Sequence, residues 1–302
     1  MGMAEPRGAT NLPWAGQFRL NEPMRKHTSW RVGGSAARAY FPSSLQDLAA
    51  FLRSIPSAEP VFVVGLGSNL LVRDGGLDGV VICTHGALDR LERRSETHVY
   101  VEAGVACARV ARQCIKWGLG PAEFFAGIPG TMGGALAMNA GAFGGETWQH
   151  VVEVQTIDRH GREHTRPASE YRASYRHVEM PVNDEWFLST ELSFERRPGA
   201  NESHVKDLLA KRKASQPIGE WSGGSTFTNP PNDHAARLIE VSGLKGFRIG
   251  DASVSEKHAN FIINHGHASA ADIEALIAHV QATVERLHGV RLNPEVRIIG
   301  RK

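Results

Sequence analysis

The chain has 302 residues, with 34 Lys and Arg against 32 Asp and Glu and hence a formal charge of only +2. Scattered basic residues and near-neutrality exclude the electrostatic footprint of a nucleic-acid partner, and the length leaves room for two or three domains of about 100–150 residues. No segment approaches the ~20 apolar residues that span a bilayer, and MGMAEPRGATNLPWAGQF lacks the apolar core of a signal peptide.

A cytoplasmic protein with no membrane partner is therefore expected, and nothing in the chain asks for an obligate protein partner. Cys83, Cys107 and Cys114 form neither a CxxC pair nor a zinc spacing, and an odd count suits reduced, buried thiols better than a disulfide framework. Residues 1–11 are small, polar and aperiodic, the pattern of a mobile tail.

Ser44, with Asp47 three residues on and Leu45, Leu48 and Phe51 at helical spacing, predicts a capped helix. Val61–Val64, bounded by Pro60 and Gly65, reads as a buried strand. Leu70–Val72 and Val80–Ile82, with Gly75 and Gly76 between them, read as strand, turn, strand. A strand at Val101–Ala103 is followed by a helix carrying Cys107, Val110, Ala111, Cys114 and Ile115, which Gly118 ends. Segments from Val151 to Phe194 predict mostly antiparallel strands, and a helix at about Glu202–Lys213 closes that half. After the Gly/Ser/Asn/Pro loop Trp221–Pro231, the surest element is an amphipathic helix capped by Ser269 and Asp272 and stopped by Gly289.

Two glycine loops carry the first chemical signal. Gly65-Leu66-Gly67-Ser68-Asn69 follows a buried strand, but Leu70 stands where a dinucleotide fingerprint needs its third glycine and a strand follows, which disfavours a Rossmann domain. Paired glycines still let backbone N–H groups approach an anion, and Ser68 and Asn69 add donors; an ordinary tight turn serves the same pattern. Gly127-Ile128-Pro129-Gly130-Thr131-Met132-Gly133-Gly134 runs into the small-residue stretch Ala135–Ala142, whose helix N-terminus would suit a phosphate, although close backbone packing also asks for glycine. Two such loops in one half of the chain favour an extended diphosphate ligand.

In order along the chain, GLGSNLLVRDGGLDGVVI, AEFFAGIPGTMGGALAMNAGAFGGE, EYRASYR, SGGSTFTNP, HANFIIN and NPEVRIIG resemble the UDP-N-acetylenolpyruvoylglucosamine reductase family from about Arg31 to Gly300. The short connection from Gly243 to Val254 looks like the shorter family type, without an extra tyrosine-bearing loop. The resemblance implies an α+β chain: a two-part FAD-binding fold of the vanillyl-alcohol-oxidase type, then an α/β substrate-binding domain. The corresponding division is a tail at 1–20, FAD-binding subdomains at 21–85 and 86–200, and a substrate domain at 201–302. It further implies non-covalent FAD on Gly65–Asn69 and on Gly127–Thr131, Gly133 and Gly134, with NADPH reducing the flavin and the flavin reducing the enolpyruvyl group of UDP-N-acetylglucosamine enolpyruvate.

By the same resemblance, Ser225 is the proton donor, Arg172 faces the substrate carboxylate, and Glu295 polarises the enol or aids the proton relay. A guanidinium suits a carboxylate because it is forked and always charged. Asn229 falls where the family binds the UDP part of the substrate, Lys213 and His258 are candidate diphosphate contacts, and Thr228 replaces a lysine common just before that Asn-Pro in the family. Outside the motif set, each of these residues has an ordinary reading as a turn residue, surface charge or core histidine. A flavin oxidase would share both glycine loops and could use His27 as a covalent anchor, but would not need SGGSTFTNP or PEVRIIG. A non-enzymatic flavin or UDP-sugar sensor would not need Ser225, Arg172 and Glu295 together.

Overall fold

The computed structural model describes residues 14–199 and 202–302. Most of the expected tail lies outside them, but Gln17–Leu20 does not extend that tail: Gln17–Pro23 is a strand, β1, paired antiparallel with β2, Ser35–Phe41. Alternation in QFRLNEP is hidden because this edge strand is mostly exposed until Glu22, so little burial shapes its sequence.

Ser44 caps α1, Leu45–Ser54, by accepting the Asp47 amide at 3.1 Å. Asp47 itself is buried and accepts from the Tyr40 hydroxyl at 2.7 Å, which ties the helix to β2. β3, Val61–Val64, β4, Leu70–Val72, and β5, Leu77–Cys83, follow as expected, and β1-β2-β5-β3 forms the first sheet. β2 and β3 lie parallel to β5.

The second sheet uses β6, Leu91–Arg93, β7, His98–Glu102, β8, Val151–Asp158, β9, Glu163–Pro167, and the later β12 in the order β9-β8-β12-β7-β6, all antiparallel. α2, Cys107–Lys116, and α3, Met132–Met138, cover one face over a core that includes Val101, Val110, Phe125, Leu136 and Leu192. A hairpin of β10, Arg172–Ser174, and β11, His177–Glu179, precedes β12, Glu185–Ser193. Helix α4, Glu202–Ser215, leads out of this half. All three cysteines are free and buried, and burial pushes each thiol up to about 12.

The last part holds β13, Trp221–Ser222, α5, Ala235–Val241, β14, Arg248–Ile249, β15, Ala252–Val254, β16, Ile262–Asn264, and α6, Ala270–His288. Its sheet runs β13-β16-β15-β14, and the short Gly243–Val254 connection is a tight β14–β15 hairpin. α6 has the Ser269/Asp272 capping box, and Gly289 closes it at φ +67°. A final strand, β17, Arg297–Ile299, leaves this domain to pair in parallel with β4.

The core of the last domain is not confined to residues after 201. Trp30, Val32 and Leu71 are packed into it, and the Trp30 indole donates to the Ile262 carbonyl at 2.8 Å while Asn264 returns a bond to the Trp30 carbonyl at 2.8 Å.

Candidate active site

The glycine loops meet. A Cβ on Gly65 would lie 2.2 Å from the Thr131 hydroxyl oxygen, and one on Gly67, at φ +62°, would lie 1.9 Å from the His27 carbonyl. Both glycines are thus demanded by close packing. The two loops line one wall of a cavity of about 940 Å³, near the top of the range for small-molecule sites. Every residue assigned to FAD from the sequence lines it: Gly65, Leu66, Gly67, Ser68, Asn69, Gly127, Ile128, Pro129, Gly130, Thr131, Gly133 and Gly134.

The fit to an anionic cofactor can be judged from the amides. No acceptor among the described residues takes the N–H of Leu66, Gly67, Ser68 or Asn69, so one loop presents a row of open donors to the cavity. Gly134 adds an open approach, since the nearest atom to a Cβ there is 4.0 Å away. The N-terminus of α3 differs from the sequence expectation: Met132 and Gly133 give their amides to the Val105 and Ala103 carbonyls at 2.8 and 2.9 Å. Those bonds knit the second loop to the chain before α2 and leave the first loop as the stronger phosphate cradle.

Ser225 and Glu295 line the same cavity. Gly223 permits this loop to fold against Trp30, because a Cβ there would lie 2.5 Å from the indole. Asn260, absent from the sequence reading, then fixes Thr226–Phe227 from both sides: the Thr226 amide donates to its carbonyl, and its side chain bonds both polar backbone groups of Phe227 at 2.8–3.0 Å. The Glu295 amide donates to the Thr226 carbonyl at 2.8 Å, which sets Glu295 beside the residue that follows Ser225.

Arg172 is not in this group. Its side chain is 86% exposed on β10, its nearest charge partner is Glu179 at 3.9 Å, and it does not line the cavity. The arginines that do line it are Arg176, Arg212 and Arg297, and of these Arg176 has its Nε 3.1 Å from the Glu295 carboxylate. Arg172, expected from the resemblance to face the substrate carboxylate, thus stands outside the cavity lining in this structure. EYRASYR contains the Tyr-Arg pair twice, and only the second, Tyr175-Arg176, falls in the turn joining β10 to β11. Arg176 has φ +57°, an unfavourable region for a side-chain-bearing residue, and is held there by the Asn139 and Gly141 carbonyls as well as by Glu295.

Burial pushes the Glu295 carboxyl above its ordinary range, with Arg176 opposing that rise. A second guanidinium, Arg212 on α4, also lines the cavity and donates to Gln216 at 2.6 Å; burial lowers its pKa, and no carboxylate pairs with it among the described residues. Arg176, Arg212, Arg297 and Lys211 against Glu185 and Glu295 leave this cavity with an excess of positive charge, suited to an anionic ligand. Periodicity could not reveal Arg212, because α4 is polar around most of its surface.

The three residues assigned to the UDP part stand outside the cavity lining. Asn229 accepts from the Ala235 amide at the start of α5, Lys213 is exposed and its carbonyl accepts from Lys257, and the half-buried His258 ring packs edge-on against Phe261 at 4.9 Å.

Residues 36–165 match the family described as "FAD binding domain", and residues 216–299 match "UDP-N-acetylenolpyruvoylglucosamine reductase, C-terminal domain". A UDP-N-acetylenolpyruvoylglucosamine reductase from Alkalilimnicola ehrlichii is 59% identical over 94% of this chain and 95% of its own length. One from Methylococcus capsulatus is 54% identical over 99% of both chains. The crystal structure of UDP-N-acetylenolpyruvylglucosamine reductase from Thermus caldophilus superposes with a TM-score of 0.78 at 29% identity, covering 94% of this chain and 98% of that one. Full-length similarity at this level joins the glycine-loop cavity to the domain that carries Ser225 and Glu295, and the chain is an FAD-dependent oxidoreductase belonging to the UDP-N-acetylenolpyruvoylglucosamine reductase family.

Proposed function

We propose that the protein catalyses NADPH-dependent reduction of UDP-N-acetylglucosamine enolpyruvate to UDP-N-acetylmuramate, a peptidoglycan precursor, in the cytoplasm, with FAD bound non-covalently. The observation that carries this reading is the convergence of Ser225, Arg176 and Glu295 on the cavity that the open amides of the Gly65–Asn69 loop line.

FAD, when bound, supplies the hydride relay between NADPH and the enolpyruvyl methylene carbon. The chain supplies the rest. Hydride addition at the methylene leaves negative charge on the neighbouring carbon and its carboxylate, so the site has to stabilise an anion and deliver one proton. In this reading Arg176, in place of Arg172, forks onto that carboxylate; its position in the cavity lining beside Glu295 supports the assignment. Ser225 gives its hydroxyl proton to the carbon bearing the carboxylate, completing the reduced C–C bond, and regains a proton from solvent. Glu295, buried and paired with Arg176, orients that guanidinium and polarises the developing enolate. Arg212 and the neighbouring Lys211 provide positive charge for phosphate groups on the far wall.

An anaerobic visible spectrum tests the reading in one sample. NADPH should bleach the oxidised-flavin absorbance, UDP-N-acetylglucosamine enolpyruvate should restore it, and denaturation should release free flavin. Protein that loads FAD but is not reoxidised by the enolpyruvyl substrate would refute the assignment.

A further inference from the structure

Asn69 belongs to the loop with open amides, yet its side-chain amide and its carbonyl are engaged within the protein. Its side-chain Nδ2 donates to the Glu295 carbonyl at 3.0 Å, and its own carbonyl accepts the Arg297 amide at 3.0 Å. Immediately after it, Leu70, Leu71 and Val72 pair in register with Arg297, Ile298 and Ile299. The segment carrying Glu295 is therefore sewn to the cofactor loop at Asn69 and at the three residues that follow. The other member of the charge pair is held by the second loop region, since Arg176 donates to the Asn139 and Gly141 carbonyls just beyond α3.

We propose that Asn69 is a positioning residue: it couples occupancy of the cofactor loop to the placement of Glu295, and through Glu295 to the orientation of Arg176. The idea rests on the proposed reductase reading. An Nδ2 amide can serve a carbonyl acceptor in only a narrow set of geometries, and the Glu295 carboxylate lies on the same residue as that acceptor, so movement of the loop is transmitted over one residue. Displacement of a catalytic group by about 1 Å can lower a rate by roughly 100-fold. The first glycine loop thus does two tasks with one residue, its amide left open at the cavity and its side chain bonded to the Glu295 backbone carbonyl.

The test compares the two half-reactions of FAD-loaded wild type and Asn69→Ala by anaerobic stopped flow. Any general damage to the flavin pocket slows both halves, so the readout is the ratio of flavin reoxidation by the enolpyruvyl substrate to flavin reduction by NADPH. That ratio should fall at least about tenfold, in kcat more than in KM for the enolpyruvyl substrate, because Glu295 acts on developing charge. Hydrogen exchange gives a readout without turnover: FAD added to wild-type apoprotein should protect residues 293–299, and in Asn69→Ala that protection should be lost while the Gly127–Gly134 loop stays protected. Asn69→Ser, whose hydroxyl is too short to reach the Glu295 carbonyl, should behave as the alanine variant does. An unchanged ratio, retained protection of 293–299, or failure of both variants to load FAD overturns the proposal, the last by making Asn69 a cofactor ligand only. Wild-type enzyme that reduces its flavin but is never reoxidised would sink the reductase reading instead, and the hydrogen-exchange comparison would still stand on its own.

Discussion

Arg176 and Arg172 are four positions apart, carry the same preceding tyrosine, and differ in everything that burial decides. Arg172→Ala should leave kcat/KM for the enolpyruvyl substrate within about threefold of wild type, whereas Arg176→Ala should lower it by roughly 100-fold, the cost of removing a charge-stabilising donor. Comparable losses in steady-state assays of the two variants would return the carboxylate role to Arg172. Sequence could not separate them, because a Tyr-Arg pair carries no information on which copy occupies a turn; the register that pairs Ser174 with His177 decides it. Glu185 offers a test of stability. Its carboxylate is buried, accepts two bonds from Arg166 at 2.6 and 2.9 Å and one from Thr156 at 2.8 Å, and the Arg166 guanidinium holds it below the usual carboxylate range. A depressed pKa adds stability in full above about pH 5, which is lost as pH falls through the folded-state value. Glu185→Gln should cost about 2 kcal/mol at pH 7, less than a fully buried pair because Arg166 keeps Glu170 and some solvent. The difference in Tm between variant and wild type should narrow toward pH 4; a gap independent of pH would show that the charge is not what matters.

At the level of elements, local rules read well where one face is buried and caps are intact. α6 was legible from Ser269, Asp272 and Gly289, and β3, β4 and β5 from apolar runs between glycines, since each of these signals is a short-range backbone requirement. What escaped is the cross-chain part of the same cap. Asp74, in the turn after β4, accepts the Ala270 and Ala271 amides at 3.0 and 2.9 Å, so the first turn of α6 is capped from another domain. Beside it, Arg73 forks onto Glu274 at 2.8 and 2.9 Å. Asp74→Ala should remove about 1–2 kcal/mol, as loss of a helix cap does, and should increase protease cleavage near the start of α6. Unchanged Tm and unchanged cleavage would show that the Ser269 cap suffices alone.

For the whole molecule, the family resemblance anticipated the order of domains but not how they are joined. The division at 201 omits Trp30, which fills the core of the last domain and lies under Gly223 in the Ser225 loop. The last domain likewise reaches back through β17. Ser225, Glu295 and the first glycine loop are therefore brought to one cavity by segments far apart in sequence, which explains why motifs named the residues while only coordinates show which of them converge. No helix among the described residues is long and apolar enough to cross a membrane.

The pairing of β4 with β17 has a further implication for how the chain is made. Among the described residues β4 has no other strand partner, and that partner is synthesised long after β4 itself. During synthesis the first glycine loop must wait for that distant strand, a long-range closure that is slow compared with helix formation. A nascent chain stopped before Arg297 would carry both glycine loops and Ser225, yet lack the strand that seats Glu295 against the first loop. Until β17 docks, the first glycine loop would have one side unsupported, and Glu295 would not yet stand against it.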